Sequence, residues 1–314
     1  MNRKGTNPVE DMKTTIQFYR LYKKIKPDVV LHFTIKPNIY GTIAARLLNI
    51  KIINNIAGLG TLFIKENFFT KIASLLYKYS LNKSNVIFFQ NNEDFELFIN
   101  RKLVQKKKCD ILPGSGVNIN KFKPRKVKNN DNKFKFLLMS RMLWNKGIGE
   151  YVEAARLINK KYSNVEFQLL GFIDKENKNA ISEQQIQKWA EEKIINYLGS
   201  SDDVRNFIAN ADCIVLPSYY REGIPRSLLE AASMAKVIIT TDTIGCREIV
   251  NEGINGFLCK IKDAKDLASK MEKVLNLTKD ERNKMGRAGR EKILAEFNET
   301  IVINKYLKAI KNII

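Results

Sequence analysis

Short apolar runs alternate with longer amphipathic ones through most of this chain, and few folds accommodate that alternation. A short apolar run bounded by turn residues reads as a buried strand. A longer run with an apolar residue at every third or fourth place reads as a helix covering one face of a sheet. Strand and helix in turn make βα units, and βα units make a parallel sheet. The pattern predicts strands over 28–33, 51–56, 86–90 and 109–112, with helices over 38–49, 67–82 and 92–103. A second series predicts strands over 134–140, 165–171, 195–198, 213–217, 237–241 and 257–259. Its helices fall over 149–161, 182–193, 204–209, 225–234, 264–277 and 279–297, with a last amphipathic helix over 299–313. Between the two series, residues 116–133 are polar and Lys-rich and read as an interdomain linker. The expected organisation is a first domain over 1–116, a second over 117–297, and a C-terminal helix over 298–314 packing back on the first.

The chain's 314 residues suffice for two domains with real cores. No apolar stretch approaches the roughly 20 residues that cross a bilayer. The N-terminal residues carry no apolar core of a secretory signal, so a cytoplasmic location is expected. Cys109, Cys213, Cys246 and Cys259 are scattered, and His32 is the one histidine. That set does not make a zinc site; reduced, mostly buried thiols are expected.

Charge narrows the partners. Against 33 acids stand 54 bases, a net +21. Such a field attracts polyanions: nucleic acid, anionic lipid or a phosphorylated ligand. Part of the excess follows a general enrichment in Lys, Asn and Ile. The stretch 101–128 is denser than that enrichment, with Arg101, Lys102, Lys106, Lys107, Lys108, Lys121, Lys123, Arg125, Lys126 and Lys128 against Asp110 alone.

Four features of the second half carry chemistry. Ser140-Arg141-Met142-Leu143-Trp144-Asn145-Lys146-Gly147 joins a strand to a helix. Its Arg and Lys can converge on a pair of phosphates, aided by the helix N-terminus. A solvated basic turn has the same composition, and the residues leave both readings open. Gly171 and Gly199 each follow a strand, at the carboxyl edge where open α/β sheets bind ligands, although each also suits an ordinary turn. In Glu222-Gly223-Ile224-Pro225-Arg226-Ser227-Leu228-Leu229-Glu230, two carboxylates bracket a helix start at which Pro225 fits the first turn. Carboxylates suit vicinal hydroxyls, and Gly223 lets backbone N–H groups face an anion.

This last segment resembles the E-x7-E motif of retaining glycosyltransferases of family 4. Thr241-Asp242, Gly245-Cys246-Arg247-Glu248-Ile249-Val250 and Asn255-Gly256-Phe257-Leu258 resemble the family's next block. Lys36-Pro37-Asn38-Ile39-Tyr40-Gly41 and Gly58-Leu59-Gly60 resemble its bacterial branch, which builds polysaccharides on lipid carriers. The resemblance covers nearly the whole chain. It implies an α/β GT-B fold of two Rossmann-like domains facing across a cleft, and transfer of a hexose or N-acetylhexosamine from a nucleoside-diphosphate sugar, UDP by family habit. By the resemblance, Arg141 and Lys146 hold the donor diphosphate and Glu222 acts on the transferred sugar. Gly171, Leu198, Gly199, Gly223, Ile224 and Pro225 line the donor site, and Glu230 binds ribose. Asn55, Gly58 and Gly60 fall on the acceptor side. No cofactor is implied beyond the nucleotide-sugar substrate. No Asp-x-Asp motif calls for a metal.

The first half departs from the pattern. Family members open with βα units for which this sequence has no counterpart, which predicts a first domain lacking two of them and an unpaired sheet edge. A truncated, non-catalytic donor-binding paralogue, or a fragment, is therefore the alternative reading. His32 sits within a strand and reads as a core histidine, so no catalytic base is assigned. The branch's acceptors are polyprenyl-diphosphate-linked, which implies peripheral attachment to the anionic inner face of the plasma membrane. Residues 67–82, with Phe68, Phe69, Lys71, Lys78 and Lys83 nearby, are the candidate contact, although aromatics turned to the core and lysines turned to water suit the same spacing. Nucleic acid is disfavoured because no basic face with interleaved aromatics is visible. An epimerase is disfavoured by the poverty in histidine.

Overall fold

The computed structural model describes residues 8–59, 68–125, 133–221 and 223–314. In chain order they form α1 (Pro8–Ile25), β1 (Val29–Phe33), α2 (Thr42–Leu47), β2 (Lys51–Ile56), α3 (Phe68–Leu81), β3 (Val86–Phe89), α4 (Asn92–Asn100) and β4 (Cys109–Ile111). There follow β5 (Phe134–Met139), α5 (Ile148–Asn159), β6 (Val165–Leu170), α6 (Glu183–Glu191), β7 (Asn196–Tyr197), α7 (Arg205–Asn210), β8 (Cys213–Leu216), α8 (Arg226–Ser233) and β9 (Val237–Thr241). The chain ends with β10 (Gly256–Cys259), α9 (Ala264–Asn276), α10 (Lys279–Glu296) and α11 (Glu299–Ile313). Residues 1–115 and 300–314 cluster as one compact unit and 116–299 as another.

The first unit holds a parallel sheet in the order β1-β2-β3-β4. Ile53 and Phe88 on one face of it pack with Val302 and Ala309 of α11. Among the described residues β1 is an edge strand, with Leu31 and Phe33 exposed. Helix α1 has no counterpart among the elements expected from the sequence. Its polar residues outnumber its apolar ones, and only Thr14 and Tyr22 are buried. The expected helix over 38–49 opens instead with one wide π turn, Pro37–Gly41, before α2 begins.

Polar side chains inside this sheet are matched to one another. His32 on β1 accepts from Tyr22 Oη at 2.8 Å through Nε2 and donates through Nδ1 to Asn54 Oδ1 at 2.9 Å. Asn54 Nδ2 in turn donates to Thr42 Oγ1 at 2.9 Å and Ser84 Oγ at 2.7 Å. A buried polar group costs little when every partner is present. The network thus ties α1, β1, α2 and β2 together, and His32 is a core histidine.

The second unit holds a parallel sheet in the order β10-β9-β8-β5-β6-β7. The chain builds outward from β5 through β6 to β7, then returns to β5's other side and builds through β8 and β9 to β10. Strand order therefore reverses between β5 and β8. Strands covered on both faces read as unbroken apolar runs, as in the fully buried Cys213-Ile214-Val215-Leu216. The segment expected to be linker is structured where it is described. Val117 and Phe122 are buried in this unit's core. Val117 N donates to Phe297 O at 2.9 Å, and Ser233 Oγ to Phe122 O at 2.7 Å. Two apolar side chains among many lysines decide the matter: they bury, and the lysines stay in water.

The His32 network makes the first unit sensitive to acid. Burial pushes the imidazole down to about 4, against the pull of its hydrogen bond to Asn54. The unfolded chain takes up the proton as pH falls through about 6.5, whereas the folded chain does not until about 4. Stability is intact above that window and lost through it, by about 2 kcal/mol between pH 7.5 and 5. Amide exchange in β1 and β2, corrected for intrinsic rate, is expected to accelerate about thirtyfold over that range, and His32→Gln is expected to abolish that slope.

Candidate active site

The carboxyl ends of β5 and β8 diverge at the point where strand order reverses, and in open α/β sheets that crevice is where ligands bind. The loops around it are locked backbone to backbone. Tyr219 N donates to Asn145 O at 3.2 Å, joining the loop after β8 to the loop after β5. Gly147, at φ +76°, lies so near Pro217 that an added Cβ would stand 2.0 Å from its carbonyl oxygen. On the other side Met142 N donates to Phe172 O at 3.0 Å, and Gly171 N to Gly199 O at 2.7 Å. A Cβ on Gly171, at φ +150°, would stand 1.7 Å from Ser140 O. These two glycines are where side chains are sterically forbidden.

A cavity of about 210 Å³ opens among these loops, with Ser140, Arg141, Gly171, Phe172, Ser201 and Glu230 in its lining. Arg141 is half exposed and its Nη1 lies 3.4 Å from Asp174 Oδ2. Glu230 is mostly buried, and its Oε1 accepts from Arg226 Nε at 2.9 Å. Burial pushes its carboxyl upward, while Arg226 and then Lys121 oppose the shift. The pocket thus pairs a reachable guanidinium with a carboxylate that is short of water, a combination typical of binding sites.

The structure brings Arg141, Gly171 and Glu230 to this one cavity. Leu198 and Gly199 stand just before Ser200 and Ser201, which line it. Lys146 sits at the start of α5 with Nζ 5.7 Å over the Tyr220 ring. Gly223 and Pro225 are buried, and Pro225 is the residue before the first turn of α8, with no side chain capping that turn. The Ile224 side chain belongs to the core beside Leu228. Glu222 and Gly60 lie outside the described residues. In the first unit, Asn55 is buried, with Nδ2 donating to Tyr306 Oη at 2.6 Å and Oδ1 accepting from Gln90 Nε2 at 3.3 Å. Gly58 follows β2 at φ +111°. Ser200, Ser201, Ser227 and Phe172, which also line the cavity, were not legible in the sequence. The serines immediately after Gly199 were the one available signal.

The model for glycosyl transferases group 1 matches residues 120–292, and that for glycosyl transferase 4-like proteins matches residues 1–91. This chain belongs to the glycosyl transferase group 1 family, and it is a glycosyltransferase. A curated relative from Campylobacter jejuni, N,N'-diacetylbacillosaminyl-diphospho-undecaprenol alpha-1,3-N-acetylgalactosaminyltransferase, is 30% identical, with 100% of this chain and 84% of the relative covered. An Escherichia coli relative, UDP-Gal:alpha-D-GlcNAc-diphosphoundecaprenol alpha-1,3-galactosyltransferase, is 29% identical over 88% of this chain and 75% of its own length. Among solved structures, a glycosyltransferase from Rickettsia africae superposes with a TM-score of 0.78 at 22% identity, covering 100% of this chain and 84% of its own. Anabaena HepE, solved in complex with UDP, gives 0.79 at 17%, covering 95% and 82%. The fold is GT-B.

The Gly171 contact gives a test of the site's framework. Gly171→Ala must push the β6 and β5 loops apart, at an expected cost of about 3 kcal/mol. Both tryptophans, Trp144 and Trp189, lie in the second unit, so thermal unfolding followed by their fluorescence is expected to shift downward by several degrees.

Proposed function

We propose that this glycosyltransferase moves a hexose or N-acetylhexosamine from UDP-sugar to a saccharide carried on polyprenyl diphosphate, in the synthesis of a bacterial capsule, O-antigen or exopolysaccharide. The meeting of Arg141, Gly171 and Glu230 at one cavity beside the strand-order reversal carries the reading. The relatives named above, whose names specify undecaprenyl-diphosphate-linked acceptors, support the acceptor class. In this reading Arg141 exchanges Asp174 for the donor diphosphate, and Lys146 joins it. Two fixed cations then stabilise the charge that grows on the departing nucleoside diphosphate, with no metal needed. Glu230 accepts from the ribose hydroxyls, and Glu222 with the Gly223-Ile224-Pro225 backbone receives the sugar. UDP-hexoses of this kind are α-linked, so the alpha linkage in both relatives' names supports retention of configuration.

A donor that binds only the folded state raises stability by about 2.7 kcal/mol at a hundred times its Kd. UDP-sugars are expected to raise the melting temperature, and Glu230→Ala to remove most of that rise. Asp174→Ala, which releases Arg141, is expected to tighten UDP binding about threefold, in line with an exposed ion pair. Labelled sugar should pass from the stabilising donor to a polyprenyl-diphosphate-linked hexosamine. No stabilisation by any UDP-, GDP- or ADP-sugar would overturn the proposal, and stabilisation without transfer would favour a non-catalytic donor-binding protein.

The same reading places the first unit against anionic lipid. Ile72, Leu75 and Tyr79 share one face of α3 and are 40%, 67% and 61% exposed. Arg46 lies 5.5 Å over the Tyr79 ring, and Lys78 stands beside it on α3. The side chains of Phe68, Phe69 and Lys71 lie outside the described residues. Basic side chains near such a surface contribute about 1 kcal/mol each. Cosedimentation with phosphatidylglycerol-containing vesicles is expected at low salt, with loss at high salt and on Leu75→Glu. Binding to neutral vesicles alone would contradict it.

A further inference from the structure

A second cavity of the second unit, about 340 Å³, is lined in part by Trp144, three residues along the loop that carries Arg141. Trp144 and Trp189 line it with their rings edge to face, centroids 5.8 Å apart. Trp189 is almost wholly buried, so it fixes the ring of Trp144, which is 41% exposed. Gly149 beneath leaves room for that ring, since a Cβ there would stand 3.2 Å from it. Tyr219 forms another wall, with Lys262 Nζ 4.7 Å over its ring centre. Glu150, Glu153 and Gln185 supply the polar part of the lining. None of this serves the donor cavity, which shares no lining residue with it.

The chemistry of the lining selects a ligand class. Exposed aromatic faces bind the C–H faces of rings while the ring edges stay polar. Carboxylates and an amide accept from, and donate to, hydroxyl groups. Glu150 and Glu153 offset Lys262 and Arg156, the latter 3.3 Å from Glu153, so the cavity has no net positive charge to draw a phosphate, in a chain whose net charge is +21. A neutral ligand with flat apolar faces and an edge of hydroxyls meets all three conditions. We infer that this cavity is a saccharide-binding subsite on the donor-binding unit, separate from the donor pocket, which holds sugars of an oligosaccharide chain on Trp144 and Tyr219. The ligand class rests on the proposed transfer of sugar to a saccharide acceptor. The site's existence rests on the lining alone.

The only two tryptophans of the chain are both in this cavity, so intrinsic fluorescence reports it directly. The test titrates the protein with a tetramer of N-acetylglucosamine and, separately, a glucose tetramer, each with saturating UDP occupying the donor pocket. A saturable change in emission is expected with at least one of them. Trp144→Ala should weaken that binding about tenfold, the equivalent of about 1.4 kcal/mol of ring contact. Glu150→Gln, which keeps the side chain's shape, should weaken it severalfold without changing the melting temperature. Glu230→Ala, which cripples the donor pocket, should leave it unchanged. Binding that UDP or Glu230→Ala abolishes would place the saccharide in the donor pocket and overturn the subsite. No emission change with either tetramer, or equal calorimetric affinity for wild type and Trp144→Ala, would also overturn it. UDP binding by the wild type is measured alongside by calorimetry, and the tetramer titrations are repeated without UDP, so failure of the donor reading is seen separately.

Discussion

The second unit depends on backbone packed against backbone at the carboxyl edge of its sheet. Ser140 and Gly171 touch on one side of the loop after β5, and Gly147 and Pro217 touch on the other. Contacts this close leave no room for a side chain, so the loop has little freedom to shift. Both candidate cavities of this unit draw lining residues from it. Arg141 faces one cavity and Trp144, three residues on, lines another. A loop free to move would smear both sites, whereas a clamped one fixes a guanidinium and an indole at the same time.

The first unit is held by a different device. Its sheet carries His32, Asn54 and Asn55 where parallel strands usually carry aliphatic residues. Each finds partners from neighbouring elements, and Asn55 reaches Tyr306 on α11, far along the chain. Hydrogen bonds of this kind add little net stability, but losing one partner leaves a buried group unsatisfied. They therefore specify which helix sits over which strand more than they hold the unit together. The acid sensitivity of His32 has a different cause: burial penalises the charged ring by more than its hydrogen bond to Asn54 returns.

Sequence patterning revealed the strands because their signal is intrinsic. A run such as Phe134-Lys135-Phe136-Leu137-Leu138-Met139 has no other comfortable fate. The order of the strands, and so the reversal beside β5, is not written in any one of them. Helix α1 was hidden because it packs mainly through Phe18, Tyr19 and Tyr22, too few apolar places for a clear stripe. The run at 116–125 looked like linker because composition averages over Val117 and Phe122, the two residues that decide its place. At the site, Arg141, Gly171 and Glu230 were legible since each sits at a strand end or helix start with a distinctive neighbour. Ser201 was not, because a serine comes to line a cavity only through where the chain brings it. The aromatic cavity was invisible for the same reason: Trp144, Trp189 and Tyr219 come from three separate elements.

Charge ties the donor cavity to its ligand more closely than the net +21 does. Arg141 is already paired with Asp174, and Glu230 with Arg226. Neither charge waits alone in a dry pocket, which would cost several kcal/mol. The pairs are also unequal. Arg141 and Asp174 remain open to water, so a diphosphate can replace the carboxylate at little cost. Glu230 is mostly buried, so its partner matters more, and its carboxyl is strained upward even with Arg226 present. A ligand hydroxyl that donates to Glu230 relieves that strain, because hydrogen bonds to the ionised form favour it. In the proposed donor reading, the anionic end of a nucleotide would meet an exchangeable cation and its ribose a carboxylate short of donors. A simple phosphate would satisfy only the first of these, so under that reading the cavity would select for the whole nucleotide rather than for charge alone.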